Sequence, residues 1–208
     1  MKMKGTLQRI VVTVQIDVTG GPSFGTSYDL TNSCPVCGTG AIPVGPRLLR
    51  LKRPPSLDIF QTLDGEILVS NALAERLRAV ANGVLFEVRD ATSREVLPFL
   101  EIRAQALLPP FAPSTEGFER ERPCNICQRD GYFEIPNVGL HLVFPPLDQA
   151  AKLANVLATY ERFGNSKLRT PFADSVLARP LFLFSSALAD VLRTSTVSGV
   201  SFEAVSFD

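Results

Sequence analysis

Four cysteines are the residues of this chain best suited to chemistry. They fall into two pairs, Cys34-Pro35-Val36-Cys37 and Cys124-Asn125-Ile126-Cys127. A Cys-x-x-Cys turn brings two sulfurs to one point, and two such knuckles complete a tetrahedral thiolate shell around zinc. Gly38 follows the first pair and lets the chain curl so that backbone amides face the sulfurs, while Pro35 preorganises the turn. Gln128 stands in the corresponding place of the second pair, and the nearest glycine is Gly131. The spacing predicts one structural Zn2+ held by Cys34, Cys37, Cys124 and Cys127. A full four-cysteine shell leaves no position for water, which disfavours catalytic zinc. Two other readings stay open: a redox-active pair, for which no thioredoxin-like context is visible, and cysteines that are free or in disulfides.

The pairs lie far apart, with 86 residues between Cys37 and Cys124. Ordinary zinc modules have about 15–20, so a metal here would staple two halves of the chain. Arg120, Arg122 and Arg129 flank the second knuckle and are expected to offset the negative charge of four thiolates on one divalent ion.

Other chemistry is thin. The single His141 lies in an apolar stretch and reads as a strand residue rather than a catalyst. No phosphate-binding glycine loop, nucleophile elbow or carboxylate–histidine cluster is present. The expectation is a chain that is not an enzyme. Residues 1–53 carry seven basic and two acidic side chains, and Arg47, Arg50, Lys52 and Arg53 lie close together. A solvated basic loop is the plain reading of that cluster, and a phosphate- or partner-binding patch the sharper one.

The elements that must position the cysteines include an internal duplication. Residues 67–88 and 182–205 align with one inserted residue. Ser70, Ala72, Leu73, Ala74, Leu77, Arg78, Gly83, Val84, Phe86 and Glu87 then meet identical partners from Ser185 to Glu203. Each copy reads as strand, helix, strand. Ser70 or Ser185 is placed to cap the helix, Leu73 and Leu77 or Leu188 and Leu192 share one face, and Gly83 or Gly199 supplies the turn. Glu87 and Glu203, at matching places, read as a solvated strand face.

Around the copies, 7–18 reads as a strand and 19–33 as a loop. A half-exposed strand is expected over 99–107, a proline-rich connector over 109–123, and the longest helix over 148–163. The predicted class is α+β: a single domain, 1–208, of two pseudo-repeat halves, 1–108 and 109–208, joined by a zinc-ribbon-like site.

Composition narrows the function classes. Apolar residues make up 45% and charged residues 20% of the 208, which argues for a packed core rather than disorder. The charges balance, 21 basic against 21 acidic, so no global field draws in nucleic acid or an anionic membrane. The apolar runs are too short to cross a bilayer, and the basic start at 1–4 leads into an alternating pattern instead of a signal core. A cytoplasmic location is expected.

The two knuckles, their wide spacing and the chain length resemble the double-CXXCG motif family, a paralogous set of myxobacteria. Gln128 departs from that motif, which has glycine there. The Ser-x-Ala-Leu-Ala and Gly-Val-x-Phe segments are similar to those of polymorphic-toxin immunity proteins. The resemblance implies a protein that binds and neutralises a cognate bacterial toxin. A zinc-ribbon nucleic-acid binder is the alternative, against which stand the neutral total charge and the few aromatics near the basic cluster.

Overall fold

The computed structural model describes residues 7–18, 20–195 and 197–208; the basic start at 1–4 lies outside them. In chain order the first half supplies β1 (Gln8–Val12), β2 (Ser27–Asp29), β3 (Ile42–Val44), β4 (Arg47–Leu49), β5 (Ile59–Gln61) and β6 (Ile67–Ser70). Helix α1 (Asn71–Arg78) follows, then β7 (Leu85–Asp90), β8 (Val96–Ile102) and β9 (Ala106–Leu107). The second half supplies β10 (Phe118–Arg120), β11 (Tyr132–Glu134), β12 (Val143–Phe144), α2 (Gln149–Leu153) and β13 (Val156–Ala158). It ends with β14 (Phe182–Phe184), α3 (Ser186–Thr194), β15 (Val200–Ala204) and β16 (Ser206–Phe207). The chain is α+β, mostly strand with few helices.

Two five-stranded sheets dominate, ordered β4-β7-β8-β6-β5 and β15-β1-β14-β13-β9. Strand β8 lies between β6 and β7 and is antiparallel to both. Strand β1 stands likewise between β14 and β15. The two strand–helix–strand segments take the same local form. Ser70 Oγ accepts the Leu73 amide and Ser185 Oγ accepts the Leu188 amide, capping α1 and α3. Gly83 and Gly199 have φ of +73° and +78°, a region that glycine enters without steric strain.

The period of two along each strand divides the apolar residues between layers. Ile67 and Val69 of β6 join Phe184 of β14 in a central core with Leu73, Leu77, Leu188 and Leu192 of the two helices. Leu68 faces the other way, onto Phe60, Val88 and Phe99. Leu183 likewise packs with Leu157, Phe144 and Phe163. The central core therefore draws on both halves of the chain. The segment after β1 crosses over: Ile16 donates to the Gln61 carbonyl and Gln61 to that of Val14, tying the first sheet's edge strand β5 to the chain leaving the second sheet. The expected strand over 7–18 is thus split between sheets.

Four further expectations change, the first being that the connector expected over 109–123 contains strand β10, paired with β11. The helix expected over 148–163 stops after Leu153, because Ala154 is extended and Val156–Ala158 pairs with β14 and β9. Val156 and Leu157 are fully buried there while Leu153 is 74% exposed, so sheet pairing overrides the helical spacing. The strand expected over 99–107 is not half-exposed: Glu101 and Arg103 are buried and ion-paired with each other. The loop expected over 19–33 contains a short 3-10 turn, Pro22–Phe24, and strand β2. Among the described residues, no helix is long and apolar enough to cross a membrane.

Candidate metal centre

Each cysteine pair forms the tip of a two-stranded hairpin. Strands β2 and β3 pair antiparallel, Ser27 opposite Val44, and carry Cys34 and Cys37 in the connection. Strands β10 and β11 pair from Phe118–Glu134 to Arg120–Tyr132 and carry Cys124 and Cys127 in theirs. The knuckles close by the same hydrogen bond: Gly38 N–H donates to the Cys34 carbonyl (2.8 Å) and Gln128 N–H to the Cys124 carbonyl (3.1 Å). Both require a left-handed residue after the second cysteine, and both have one.

The two tips meet. Cys34 Sγ lies 3.8 Å from Cys124 Sγ, and Cys37 Sγ lies 3.6 Å from Cys127 Sγ. All four sulfurs fall within 4.8 Å of one another, and none is in a disulfide. A tetrahedral metal–thiolate shell with bonds of about 2.3 Å spaces its sulfurs by about 3.8 Å, so the four residues fit a metal ion at their centre. Cys34 and Cys37 are buried, and Cys124 and Cys127 half-buried.

Local amides prepare the sulfurs. Burial raises the Cys34 thiol, but hydrogen bonds with the Cys37 and Val36 amides and with the Cys37 and Cys124 thiols together outweigh it and bring it down to about 7. Burial pushes Cys37 and Cys127 up. Without a cation, those two thiols resist ionisation; a divalent ion held by the four would reverse that balance. The Thr39 amide donates to Cys37 Sγ (3.5 Å), and the Thr39 hydroxyl, 3.1 Å from the same sulfur, also contacts Ser166 Oγ (3.0 Å).

One supporting residue escaped the sequence reading. Asp130 is buried, with Oδ1 accepting the Cys124 amide (2.7 Å) and Oδ2 accepting the Ser166 amide (2.9 Å). It fixes the second knuckle to the segment after Gly164. The Asp130-Gly131 turn dipeptide three residues past Cys127 was the available signal. Gly131 has φ +79°, and a Cβ there would meet the Glu121 carbonyl oxygen at 2.5 Å, so the chain passes too close for any side chain.

The arginines expected around the site divide. The Arg129 guanidinium lies over the Tyr160 ring, 4.0 Å from its centroid, and a Cβ on Gly40 would stand 3.1 Å from its Nη1. It therefore reaches the loop that follows the first knuckle. Arg120 lies over the Tyr132 ring and donates to the Gln128 carbonyl (2.9 Å). Arg122 is exposed, with φ +47°.

The basic cluster does not hold together. Arg47 is buried, donating to Glu101 Oε1 through Nε (3.1 Å) and Nη2 (2.5 Å) and to the Tyr28 hydroxyl through Nη1 (2.7 Å). Its Nη1 also pairs with Glu66 (3.2 Å). Pairing of β4 with β7 turns that side chain inward, which linear spacing could not reveal. Arg50, Lys52 and Arg53 remain exposed. Glu87 and Glu203 are half-exposed and ion-paired, with Arg89 (2.5 Å) and Arg9 (2.9 Å), rather than simply solvated. His141 is exposed and bridges to Glu116 through its backbone, outside any named strand.

No protein-family model and no curated protein matches this chain.

Proposed function

We propose that this chain is an immunity protein: a non-catalytic, cytoplasmic protein that binds and neutralises a cognate bacterial toxin on a scaffold stapled by one zinc ion. The observation that carries the reading is the convergence of four sulfurs from two hairpin tips. Thiolates with no other donor suit zinc, and a shell of four protein ligands leaves no place for substrate or water. Such a centre supports a rigid binding surface rather than a reaction.

We read the two strand–helix–strand segments as copies of one duplicated unit, each half contributing one knuckle. Ten aligned identities support this, as do matching serine caps, left-handed glycines, and a third strand between the two strands of each segment. The resemblance of the cysteine spacing to the double-CXXCG family supports the toxin-binding role.

The test is growth on co-expression with the product of the adjacent gene. Rescue from a lethal neighbour is the expected outcome; death despite soluble expression of this chain overturns the reading. The zinc assignment is checked separately by metal analysis of the purified protein, with one equivalent expected. Circular dichroism should show unfolding on chelation and for Cys34→Ser or Cys124→Ser. A melt unmoved by a strong chelator removes zinc from the account.

A further inference from the structure

A cleft of about 610 Å3 opens between the two sheets, bounded also by the β2–β3 hairpin and by the segment 173–180. That volume falls within the roughly 300–1,000 Å3 of small-molecule sites. Much of its lining is apolar, with Ile42, Phe86, Leu107, Val176, Leu177 and Phe182 among it. Ile42, Leu107 and Val176 are 53%, 47% and 57% exposed, respectively, so these side chains are left uncovered.

Charge is distributed unequally around the cleft. On one wall Arg47 and Arg103 are ion-paired with Glu66 and Glu101. Arg162, also lining the cleft, has no such match. It is only 8% exposed, and its Nη1 donates to the Thr159 carbonyl (2.5 Å). Among the described residues it forms no salt bridge, and its Nε and Nη2 make no hydrogen bond; neither atom is fully buried, so this edge opens onto the cleft. The neighbouring Glu161 uses Oε1 to accept the Phe111 amide (2.9 Å), and its Oε2 has no partner. Burial pushes the Glu161 carboxyl up, which weakens it further as a counter-charge. Burial first, then the nearby Arg129, lowers Arg162 to about 10, against the opposing pull of Glu161.

Buried charges in proteins are paired, because an isolated one forgoes its hydration without compensation. The Nε and Nη2 hydrogens of a guanidinium form one edge of a planar fork matched to the two oxygens of a carboxylate. We propose that this cleft binds a small apolar monocarboxylic acid, its carboxylate on the free edge of Arg162 and its apolar body against residues such as Phe86, Leu107 and Phe182. This site is independent of the toxin-binding reading and stands if that reading fails.

The experiment is calorimetric titration of the purified full-length protein with octanoate and, separately, with 1-octanol. Octanoate is expected to bind at least tenfold more tightly, and Arg162→Gln to abolish that preference while metal content stays unchanged. Leu107→Glu, at an exposed position on the cleft wall, is expected to weaken octanoate at least tenfold. Equal affinity for the two probes, or no octanoate binding at millimolar concentration, overturns the proposal. So does loss of metal from Arg162→Gln, which would make Arg162 a counter-charge of the thiolate centre. Preference for an apolar peptide with a free C-terminal carboxylate over octanoate would also overturn the small-acid assignment. If Arg162→Gln fails to fold, the two-probe comparison on the native chain decides alone.

Discussion

Gly38 and Gln128 stand at the same place in the two knuckles, and both are left-handed, with φ of +80° and +56°. Each donates its amide to the carbonyl of the first cysteine in its pair. The turn, not the residue type, is what the sulfur geometry requires. Glutamine adopts it against the steric preference of its Cβ.

Gln128→Gly should therefore stabilise the metal-loaded protein by about 1 kcal/mol, the order of the left-handed penalty for a residue with a Cβ. Thermal melts of the metal-bound protein check this. An unchanged or lowered melting temperature would mean that the Gln128 side chain, whose Oε1 accepts from Arg120 at 3.2 Å, matters more than the backbone.

Asp130 accepts two amides that no other described residue satisfies, one of them on Cys124 of the candidate metal centre. Asp130→Ala should weaken metal affinity by about 10- to 100-fold, as loss of an orienting outer partner does. Competition against a chromophoric chelator measures it. Asp130→Asn, keeping one acceptor oxygen, should fall between.

Arg47 is enclosed by Glu66, Glu101 and Tyr28. Burial pushes the Tyr28 hydroxyl up to about 12, against the opposing pull of Arg47, so it stays a neutral partner at physiological pH. Arg47→Met leaves Glu66 without its cation and should destabilise the fold by about 3–5 kcal/mol in denaturant titration. Because the network is shielded from solvent, raising salt should change that difference little. An exposed basic patch would show the opposite pattern.

Glu161 supplies a pH-dependent prediction. Burial raises its carboxyl above the usual range, so the folded state favours the neutral form. The stability tied to that form is complete below the unfolded carboxyl's pKa and is lost as pH rises through the raised folded value. Glu161→Gln keeps an acceptor for the Phe111 amide and removes the charge. Its melting temperature should exceed that of the parent at pH 7–8, with the gap narrowing towards pH 5. A lower melting temperature at pH 7 would show that the ionised carboxylate is needed beside Arg129 and Arg162.

The cysteine pairs, the serine caps, the leucine faces of α1 and α3 and the turn glycines were all legible in the linear chain. Each depends on residues within one turn of helix or one tight loop, where spacing alone brings partners together. What tertiary structure alone decided involves partners far apart in the chain. Val156 and Leu157 have helical spacing, yet they enter a strand because β14 and β9 offer them backbone partners and full burial. Arg47 looks like one of four neighbouring cations, yet its strand pairing turns it towards Glu101, 54 residues on. Asp130 joins Cys124 to Ser166 only because the loop after Gly164 returns beside the knuckle. Short-range order follows from local sterics and capping. Sheet partners, buried ion pairs and the free edge of Arg162 depend on which distant surfaces fold together.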